Sequence, residues 1–378
     1  PSNDESKGTY TTHFDFKNSL HDTLLKLDEL GHDNPTLYKY LEDSTGIPVM
    51  DVDLSDPLLY QLITSTEPIG VSPEDIDCQT GTLAIPEMGT PFVIGMLLEA
   101  QPKTFADLLR ISGLSHGTDV WVGNAKELIE NGTITLKETI STRDSIMSYL
   151  ITKGLDNKKS FKIMEKVRKG KGLADDDIEY MKEHDVPQWY IDSCLKIKYM
   201  FPKAHAAAYV MMAYRIAWYK VFQPLAYYAA YFSIRATAFS YELMCMGKER
   251  LEYYMAEIRK KGDSASKKEL DTLKDMRIVQ EMYARGFEFV PIDLYTAKAQ
   301  RFQIVDGKLM PSLATIDGLG DKAADAVVDA AKQGKFLSKD DFRDRTKVSK
   351  TVIDLMDDLK LFGDIPQSNQ MSLFDFTG

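Results

Sequence analysis

The chain of 378 residues has three cysteines, no long hydrophobic run and no leader-like start. Cys78, Cys194 and Cys245 are widely spaced and odd in number, which is typical of neither a disulfide framework nor a zinc site. The longest uncharged apolar run, residues 221–234, is too short to span a bilayer. Residues 1–9 are polar and acidic, unlike a secretion signal. We therefore predict a soluble protein of the reducing cytoplasm, with no membrane partner.

Acidic residues are missing from one long interval, although acids outnumber bases by 57 to 46 in the whole chain. Between Asp192 and Glu242 every charged side chain is basic, and aromatic residues are frequent. Charge of one sign together with flat apolar rings suits nucleic acid, a polyanion with stacking faces. An aromatic-rich helical core that has no use for carboxylates gives the same composition. Both interpretations stay open, and they do not exclude each other.

The segment FPKAHAAAY, residues 201–209, lies inside that interval. Proline disfavours helix at the residue before it and the alanines favour helix, so a helix is predicted to begin here. Lys203 and His205 then lie in its first turn, where backbone N–H groups attract anions. They are candidates for a triphosphate clamp, and Tyr209 is a candidate for stacking on a base or sugar. The alternatives are solvated side chains and, for Tyr209, a place in the core.

A second basic stretch, KKSFKIMEKVRKGK at 158–171, has seven basic residues and one acidic residue. Its bases recur at helical spacing, and Phe161, Met164 and Val167 are predicted to face the core. Gly170 and Gly172 are predicted to end the helix and to let the backbone approach a ligand. The alternative to a phosphate-binding surface is an ordinary solvated helix face.

Residues 316–320, Ile-Asp-Gly-Leu-Gly, fit the helix-hairpin-helix pattern and precede an amphipathic helix. Gly318 and Gly320 let the hairpin approach a DNA backbone, with Lys322 beside it, because N–H groups at a helix start bind phosphate. Such contacts read no base sequence and suit sliding along duplex. A glycine cap between two ordinary helices is the alternative. A degenerate second unit is predicted at about 347–363.

Elsewhere the pattern predicts a mainly α protein with minor β structure. Leu25 and Leu27 alternate with polar residues, which indicates a short strand with both leucines packed inward. A strand at 301–305 followed by Asp-Gly at 306–307 indicates a hairpin. The pattern of residues 249–285 predicts a pair of charged helices.

Two short patterns contain the residue types of catalytic sites but are not interpreted as such sites. Ser115, His116 and Asp119 are too close in sequence to reach triad geometry without a special loop, so hydrolase chemistry is not predicted. Asp51 and Asp53 have the spacing of a metal-binding pair but are interpreted as an acidic loop or helix cap.

The stretch FPKAHAAAYVMMAYRIAWYK at 201–220 resembles the fingers of bacterial replicative DNA polymerase III alpha subunits, and the PolC type in particular. Four further segments resemble PolC in the family's order: THFDF at 12–16, LLKLDELGHD at 24–33, ISGLSHGTDVW at 111–121 and FKIMEKVRKGKGL at 161–173. The resemblance covers nearly the whole chain but begins partway into the family pattern. The family's exonuclease and PHP regions and most of its palm are therefore expected to precede Pro1.

This resemblance implies a domain order. Residues 1–35 are expected to end the palm domain with a short strand, and residues 36–248 to form a multi-helix fingers domain. A duplex-binding domain is expected at 249–363, with the helix-hairpin-helix at 312–335. Residues 364–378 are expected to be a flexible tail.

It also implies roles for single residues. Asp28 matches the family's third palm aspartate, a Mg2+ ligand in a two-metal site shared with palm residues absent from this chain, so the chain alone is expected to be inactive. Triphosphate and template-phosphate contacts are implied for Arg168, Lys169, Lys171, Lys203 and His205. Arg168 is foremost among them, because a guanidinium grips phosphate oxygens in a bidentate way.

The tail residues Gln370, Met371, Ser372, Leu373 and Phe374 resemble the bacterial sliding-clamp motif. Gln370 is the expected polar anchor, and the last two residues are the apolar anchors. The implied partners are primer-template DNA, dNTP, the sliding clamp (beta subunit), other replisome subunits and the rest of the polymerase chain. The implied location is the nucleoid in bacterial cytoplasm.

The leading hypothesis is therefore part of a replicative DNA polymerase that adds dNTPs to a primer 3′ end by two-metal phosphoryl transfer. One alternative is a non-catalytic DNA-binding scaffold tethered to the clamp. Another is a helix-hairpin-helix repair enzyme, which needs a base or lysine nucleophile near the hairpin, and none is distinctive. A D-x-D palm pair upstream of Pro1 would favour the polymerase over the scaffold.

Overall fold

Helices dominate the computed structural model, which describes residues 8, 12–20, 23–25 and 31–368. The helices between residues 34 and 244 are α1 (Asn34–Thr45), α2 (Pro57–Leu62), α3 (Pro73–Ile76), α4 (Pro91–Ala100), α5 (Phe105–His116), α6 (Lys126–Glu130), α7 (Arg143–Thr152), α8 (Asn157–Arg168), α9 (Asp175–Glu183), α10 (Gln188–Lys196), α11 (Lys203–Phe222), α12 (Pro224–Ile234) and α13 (Tyr241–Met244). The elements that follow are α14 (Lys248–Lys260), α15 (Lys267–Ala284), β1 (Gln303–Val305), β2 (Lys308–Met310), α16 (Asp321–Lys332), α17 (Lys339–Thr346) and α18 (Lys350–Asp358). The prediction of a mainly α protein with minor β structure is confirmed.

Local capping explains where many of these helices begin. Thr104 and Asp107 form a reciprocal capping box at the start of α5, and Ser266 and Glu269 form another at the start of α15. The Asp156 carboxylate accepts the Lys159 N–H at 2.9 Å at the start of α8. Basic residues in the last turn of α8 complement its carboxyl end.

The long helix α11 runs through the larger of two hydrophobic cores. It begins after Pro202 and buries residues on successive turns, among them Val210, Tyr214 and Ile216. Helix α12 follows directly and packs against α1, while α11 packs against α5. Helices α14 and α15 form the predicted charged pair and contribute to the same core. The domain limits implied by the resemblance stay predictions.

The predicted hairpin with its turn at 306–307 is confirmed, although its first strand spans 303–305 and not 301–305. Strands β1 and β2 are antiparallel, with Val305 opposite Lys308. Asp306 and Gly307 both have positive φ, 50° and 75°, as a tight two-residue hairpin turn requires. The hairpin is joined to α1, because the hydroxyl of Tyr40 donates to the carbonyl of Phe302 at 2.6 Å.

A second core fills the space between α16, α17 and α18. Leu319, Val327, Phe342 and Met356 are among its buried members. Helices α16, α17 and α18 therefore form a compact helical unit around a core of their own.

The N-terminal strand prediction lies almost wholly outside the described residues, since 26–30 are among those not described. Leu25 is described and its side chain is 87% exposed, so its predicted inward packing is wrong in this chain. No helix among the residues that the structure describes is long and apolar enough to cross a membrane.

Candidate nucleotide and DNA interface

The start of α11 is held by a short extended segment, residues 198–202. The N–H of Lys198 donates to the Thr118 carbonyl at 3.0 Å, and the Thr118 N–H donates to the Tyr199 carbonyl at 3.0 Å. The Met200 N–H donates to the carbonyl of Arg168 at 3.3 Å. This segment thereby brings together the end of α8, the loop after α5 and the start of α11, which are far apart in sequence.

The first amide of α11 already has an anionic partner. The Lys203 N–H donates to a carboxylate oxygen of Asp144 at 2.7 Å, and the neighbouring Arg143 N–H donates to the Phe201 carbonyl at 3.1 Å. The expected set of open amides for an incoming anion is therefore reduced by one, because Asp144 caps this position. The side chains of Lys203 and His205 are exposed beside it.

Five rings form a continuous series along this end of α11. His116 stacks on Phe201 at 4.7 Å between centroids, and Phe201 meets His205 edge to face at 4.6 Å. His205 stacks on Tyr209 at 4.1 Å with the planes 11° apart. Tyr209 also meets His32 edge to face at 5.7 Å. We call Phe201, His205 and Tyr209 the aromatic series; it offers flat faces beside the cation of Lys203.

His116 contacts both this series and an acidic residue that the sequence pattern around it did not predict. Its Nε2 lies 2.9 Å from a carboxylate oxygen of Glu87, and its Nδ1 lies 2.8 Å from the Ser112 carbonyl. The hydrogen bond with Glu87 raises the pKa of His116 above its ordinary value, against the effect of burial. Its carboxylate partner is Glu87 and not the Asp119 of the sequence pattern.

The basic helix α8 is largely neutralised by its surroundings. Lys159 and Lys166 both bind the buried carboxylate of Asp177, at 2.8 and 2.6 Å. Burial acts to raise the pKa of Asp177, but hydrogen bonds from Lys159 and Lys166 together outweigh it and hold this pKa below its usual value. The carboxylates of Asp176 and Asp177 raise the pKa of Lys159 to about 12.

Arg168 and Lys169 share one carboxylate at the end of the same helix. Arg168 binds both oxygens of Glu165 through Nε and Nη2, the latter at 2.9 Å, and Lys169 binds it at 2.9 Å. The bond from Arg168 is the main reason that the pKa of Glu165 falls to about 2. The bidentate fork of Arg168, predicted to grip phosphate, is thus held by Glu165, while Lys171 is exposed two residues beyond Lys169.

Two local predictions about α8 are wrong. Phe161 was expected in the core but its side chain is 51% exposed, whereas Ile163, Met164 and Val167 form the buried stripe. Gly170 was expected to let backbone approach a ligand. A Cβ there would instead lie 2.5 Å from the Lys198 carbonyl oxygen, so the glycine serves a chain crossing within the protein.

The predicted helix-hairpin-helix has the expected backbone. Gly318 has φ +83°, Leu319 is buried, and Gly320 caps α16 with open space where a Cβ would be. Lys322 is exposed on the first turn of α16. The carboxylate of Asp317 accepts a hydrogen bond from the Ser240 hydroxyl, which anchors the hairpin to the segment before α13.

A second hairpin repeats this arrangement. Lys347 has φ +60°, Val348 is buried and Ser349 caps α18, accepting the Val352 N–H. Val352 in turn lies where it would meet a Cβ on Gly318, at 3.1 Å, so the two hairpins pack side by side. The degenerate unit predicted at about 347–363 is therefore present as a helix hairpin.

Several predicted site residues lie outside the described residues. These are Asp28 and the tail residues Gln370, Met371, Ser372, Leu373 and Phe374. Among the residues that are described, no group of three or more His, Cys, Asp or Glu side chains is placed to hold a metal ion. The Asp53 carboxylate accepts hydrogen bonds from the N–H and the hydroxyl of Ser55.

Sequence reasoning missed Glu87, Asp144, Asp177 and the binding role of Glu165. Glu165 had a usable signal, because it stands three and four residues before Arg168 and Lys169, the spacing of helical ion pairs. Glu87 and Asp144 had none, since their partners are brought to them only by folding.

Comparisons with known proteins agree with this organisation. Residues 34–185 match the bacterial DNA polymerase III alpha subunit finger domain, and residues 286–370 match a helix-hairpin-helix motif. The chain is 50% identical to the "DNA polymerase III PolC-type" of Caldanaerobacter subterraneus subsp. tengcongensis over 374 residues, 99% of this chain and 27% of that protein. It is 53% identical to the protein of that name from Listeria monocytogenes over 365 residues, 96% of this chain and 25% of that protein. The chain spans about a quarter of the length of these curated relatives.

Proposed function

The chain is homologous to PolC-type DNA polymerase III along nearly its whole length, and we propose that it forms the fingers and duplex-binding part of a replicative DNA polymerase. In this proposal the complete enzyme adds dNTPs to a primer 3′ end. The observation that carries it is the start of α11, where Lys203 lies beside the aromatic series and the segment that leads into the helix is hydrogen-bonded to the end of basic helix α8. Cations beside flat rings fit a nucleoside triphosphate, which has both charge and a stacking face.

The incoming nucleotide is proposed to bind across this junction. Arg168, Lys169, Lys171, Lys203 and His205 contact the triphosphate and nearby template phosphate, and Tyr209 stacks on the base or sugar. Support comes from the exposure of Lys203 and His205 and from the ring series that runs to Tyr209. Because Glu165 already holds Arg168 and Lys169, a bound triphosphate must share or replace that carboxylate.

Arg168→Ala and Lys203→Ala test this assignment in a polymerase of the relatives' full length that carries this region. Each substitution is expected to weaken dNTP binding by about 1.5–3 kcal/mol, the worth of a charged hydrogen bond, and primer-template binding by less. Lys182→Ala, on the exposed face of α9, is the matched control and should change neither affinity. Equal losses for dNTP and primer-template would move both residues to the template channel.

The duplex is proposed to lie on the two helix hairpins. Amides near Gly318 and Gly320, with Lys322, bind phosphate oxygens without reading bases. The repeated hairpin at 347–349 supports this proposal, because two adjacent hairpins can follow a duplex backbone over a longer stretch.

Catalysis is proposed to use Asp28 as one carboxylate of a Mg2+ site completed by palm residues elsewhere in the enzyme. This rests on the segment LLKLDELGHD and on the homology, since the described residues form no such site. Asp28→Asn should abolish nucleotide addition and leave duplex binding nearly intact. Extension within about tenfold of the unmodified enzyme would end the assignment.

The tail is proposed to bind a sliding clamp through Gln370, Met371, Ser372, Leu373 and Phe374. Replacing Leu373 and Phe374 by Ala should weaken clamp binding by roughly 2–4 kcal/mol each, because two apolar anchors leave their pocket. The melting temperature should stay unchanged. Synthesis with clamp should fall while synthesis on short primed templates without clamp stays the same. Unchanged clamp affinity in this double variant would contradict the clamp as a partner. If the complete enzyme binds duplex DNA but does not extend a primer, the non-catalytic scaffold is the better interpretation.

A further inference from the structure

His116 lies between an acidic side chain and the aromatic series, and its contacts define its charge. The Ser112 carbonyl near Nδ1 and the Glu87 carboxylate near Nε2 are both hydrogen-bond acceptors, at 2.8 and 2.9 Å. Both ring nitrogens must therefore donate, which requires the doubly protonated imidazolium. The hydroxyl of Ser115, 3.1 Å from Nδ1, can adapt to either form. The ring is thus fixed in plane and in charge.

The fixed ring controls the next ring. Phe201 stacks on His116 with the planes 21° apart, and a cation against an aromatic face is attracted to it. The backbone of Phe201 is held as well, since its carbonyl accepts the Arg143 N–H at 3.1 Å. His205 has an exposed side chain, so its orientation depends on the rings at its two sides, Phe201 and Tyr209.

We propose that His116, held by Glu87, is a positioning residue that orients the His205–Tyr209 pair for the incoming nucleotide through the ring of Phe201. This inference rests on the proposed function, in which His205 and Tyr209 contact the nucleotide. His116 acts at a distance and does not touch the substrate. Glu87, in the loop before α4, is a positioning residue as well, because it holds the ring of His116.

His184 provides a matched control within the chain. Like that of His116, its Nδ1 is hydrogen-bonded to the carbonyl of the residue four positions earlier, here Tyr180, at 2.8 Å. It also meets an aromatic ring, that of Tyr180, edge to face at 4.5 Å. It follows α9 and takes no part in the aromatic series.

The first test is the histidine Cε1–Hε1 NMR spectrum of the 378-residue chain, assigned by single His→Gln variants. Glu87→Gln and His116→Gln should each move the His205 signal, because its ring shifts against Phe201 and Tyr209. His184→Gln should leave it in place. A His205 signal that stays in place in both Glu87→Gln and His116→Gln overturns the proposal, and two variants that reach the contact from opposite sides guard against a single folding failure.

The second test is steady-state extension by a full-length polymerase carrying this region. Glu87→Gln and His116→Gln should each raise the KM for dNTP, by up to about tenfold, with kcat and primer-template affinity near their original values. The double variant should be no worse than the poorer single variant, because both act through one contact. An unchanged KM in these variants, while His205→Ala raises it, overturns the positioning role alone. An unchanged KM in His205→Ala as well overturns the proposed nucleotide site itself, and the positioning role with it.

Discussion

Each end of helix α11 carries a lysine, and one of these lysines is exposed whereas the other is buried. Lys203 at the start is exposed beside the aromatic series. Lys220 near the end is fully buried, and its Nζ donates to the carbonyls of Gly81 and Leu83 at 2.8 and 2.6 Å. It also lies 2.8 Å from a carboxylate oxygen of Glu281 on α15. One end is exposed and the other is part of the core.

The acid-free interval is therefore exposed at the start of α11 and buried further along, so the core interpretation holds for the buried part and the nucleic-acid interpretation stays a prediction. Tyr214, Tyr219, Tyr227 and Tyr228 are buried, whereas Tyr199 is 44% exposed. The buried lysine is satisfied by an acid outside the interval, and Arg235 is likewise paired with Asp33. Charge counted along the sequence does not describe the charge that surrounds a side chain, because folding supplies partners from elsewhere.

The largest expected effect tests the buried end. Lys220→Met removes the cation and leaves Glu281 buried without it, which should lower the free energy of unfolding by about 3–5 kcal/mol. Lys203→Met, the same change at the exposed end, should alter it by less than about 0.5 kcal/mol. Urea denaturation followed by circular dichroism measures both. Equal effects at the two ends would contradict the comparison. Adding Glu281→Leu to Lys220→Met should recover part of the loss, since no unpaired charge remains buried.

A medium effect tests how the exposed end is held. Gly170→Ala places a Cβ 2.5 Å from the Lys198 carbonyl oxygen, so the segment that leads into α11 must move. Gly172→Ala is the control, because it has the same φ of +68° and its nearest neighbouring atom is 3.9 Å away. The control should cost about 1 kcal/mol for its backbone conformation and Gly170→Ala about 1–3 kcal/mol more. Only Gly170→Ala should also weaken dNTP binding. Identical unfolding curves for the two variants would show that the backbone of Lys198 does not pack closely against Gly170.

The smallest expected effect concerns the carboxylate that shares the exposed surface. Glu165→Gln releases Arg168 and Lys169, which should tighten binding of a triphosphate by about 0.2–1 kcal/mol. Glu179→Gln on α9 removes an equal charge from an exposed position and is the control. Fluorescence titration with a labelled dNTP measures both. If the control gains as much affinity as Glu165→Gln, the effect comes from net charge alone and not from the release of these two cations.

The same ion pair has a defined pH dependence. The pKa of Glu165 is lowered from 4.5 to about 2 in the folded chain, so its contribution to stability is complete above about pH 4.5. That contribution is lost as the pH falls from about 4.5 to about 2. Acid unfolding of Glu165→Gln should therefore show a smaller loss of stability across this range than the unmodified chain.

The sequence by itself determined the elements whose signals are local. Capping residues and proline mark helix starts, Asp306 and Gly307 specify the hairpin turn, and the spacing of Gly318 and Gly320 predicts the helix hairpin. These depend on the φ preferences and hydrogen bonds of neighbouring residues, which are the same in any fold. The resemblance that 201–220 and four further segments carry agrees with relatives that are about 50% identical over nearly the whole chain.

Only the tertiary structure decided which side chains meet. Phe161 follows the helical pattern of a core residue and is exposed, because α8 buries the stripe of Ile163 and Val167. The backbone of Lys198 passes close to Gly170, and His116 binds Glu87. The spacing of residues along the chain predicts neither contact. Burial and ion pairing depend on what a distant segment places beside a residue. Periodicity reports the local chain alone, so it could place Lys203 and Lys220 on one helix without telling the surface from the core.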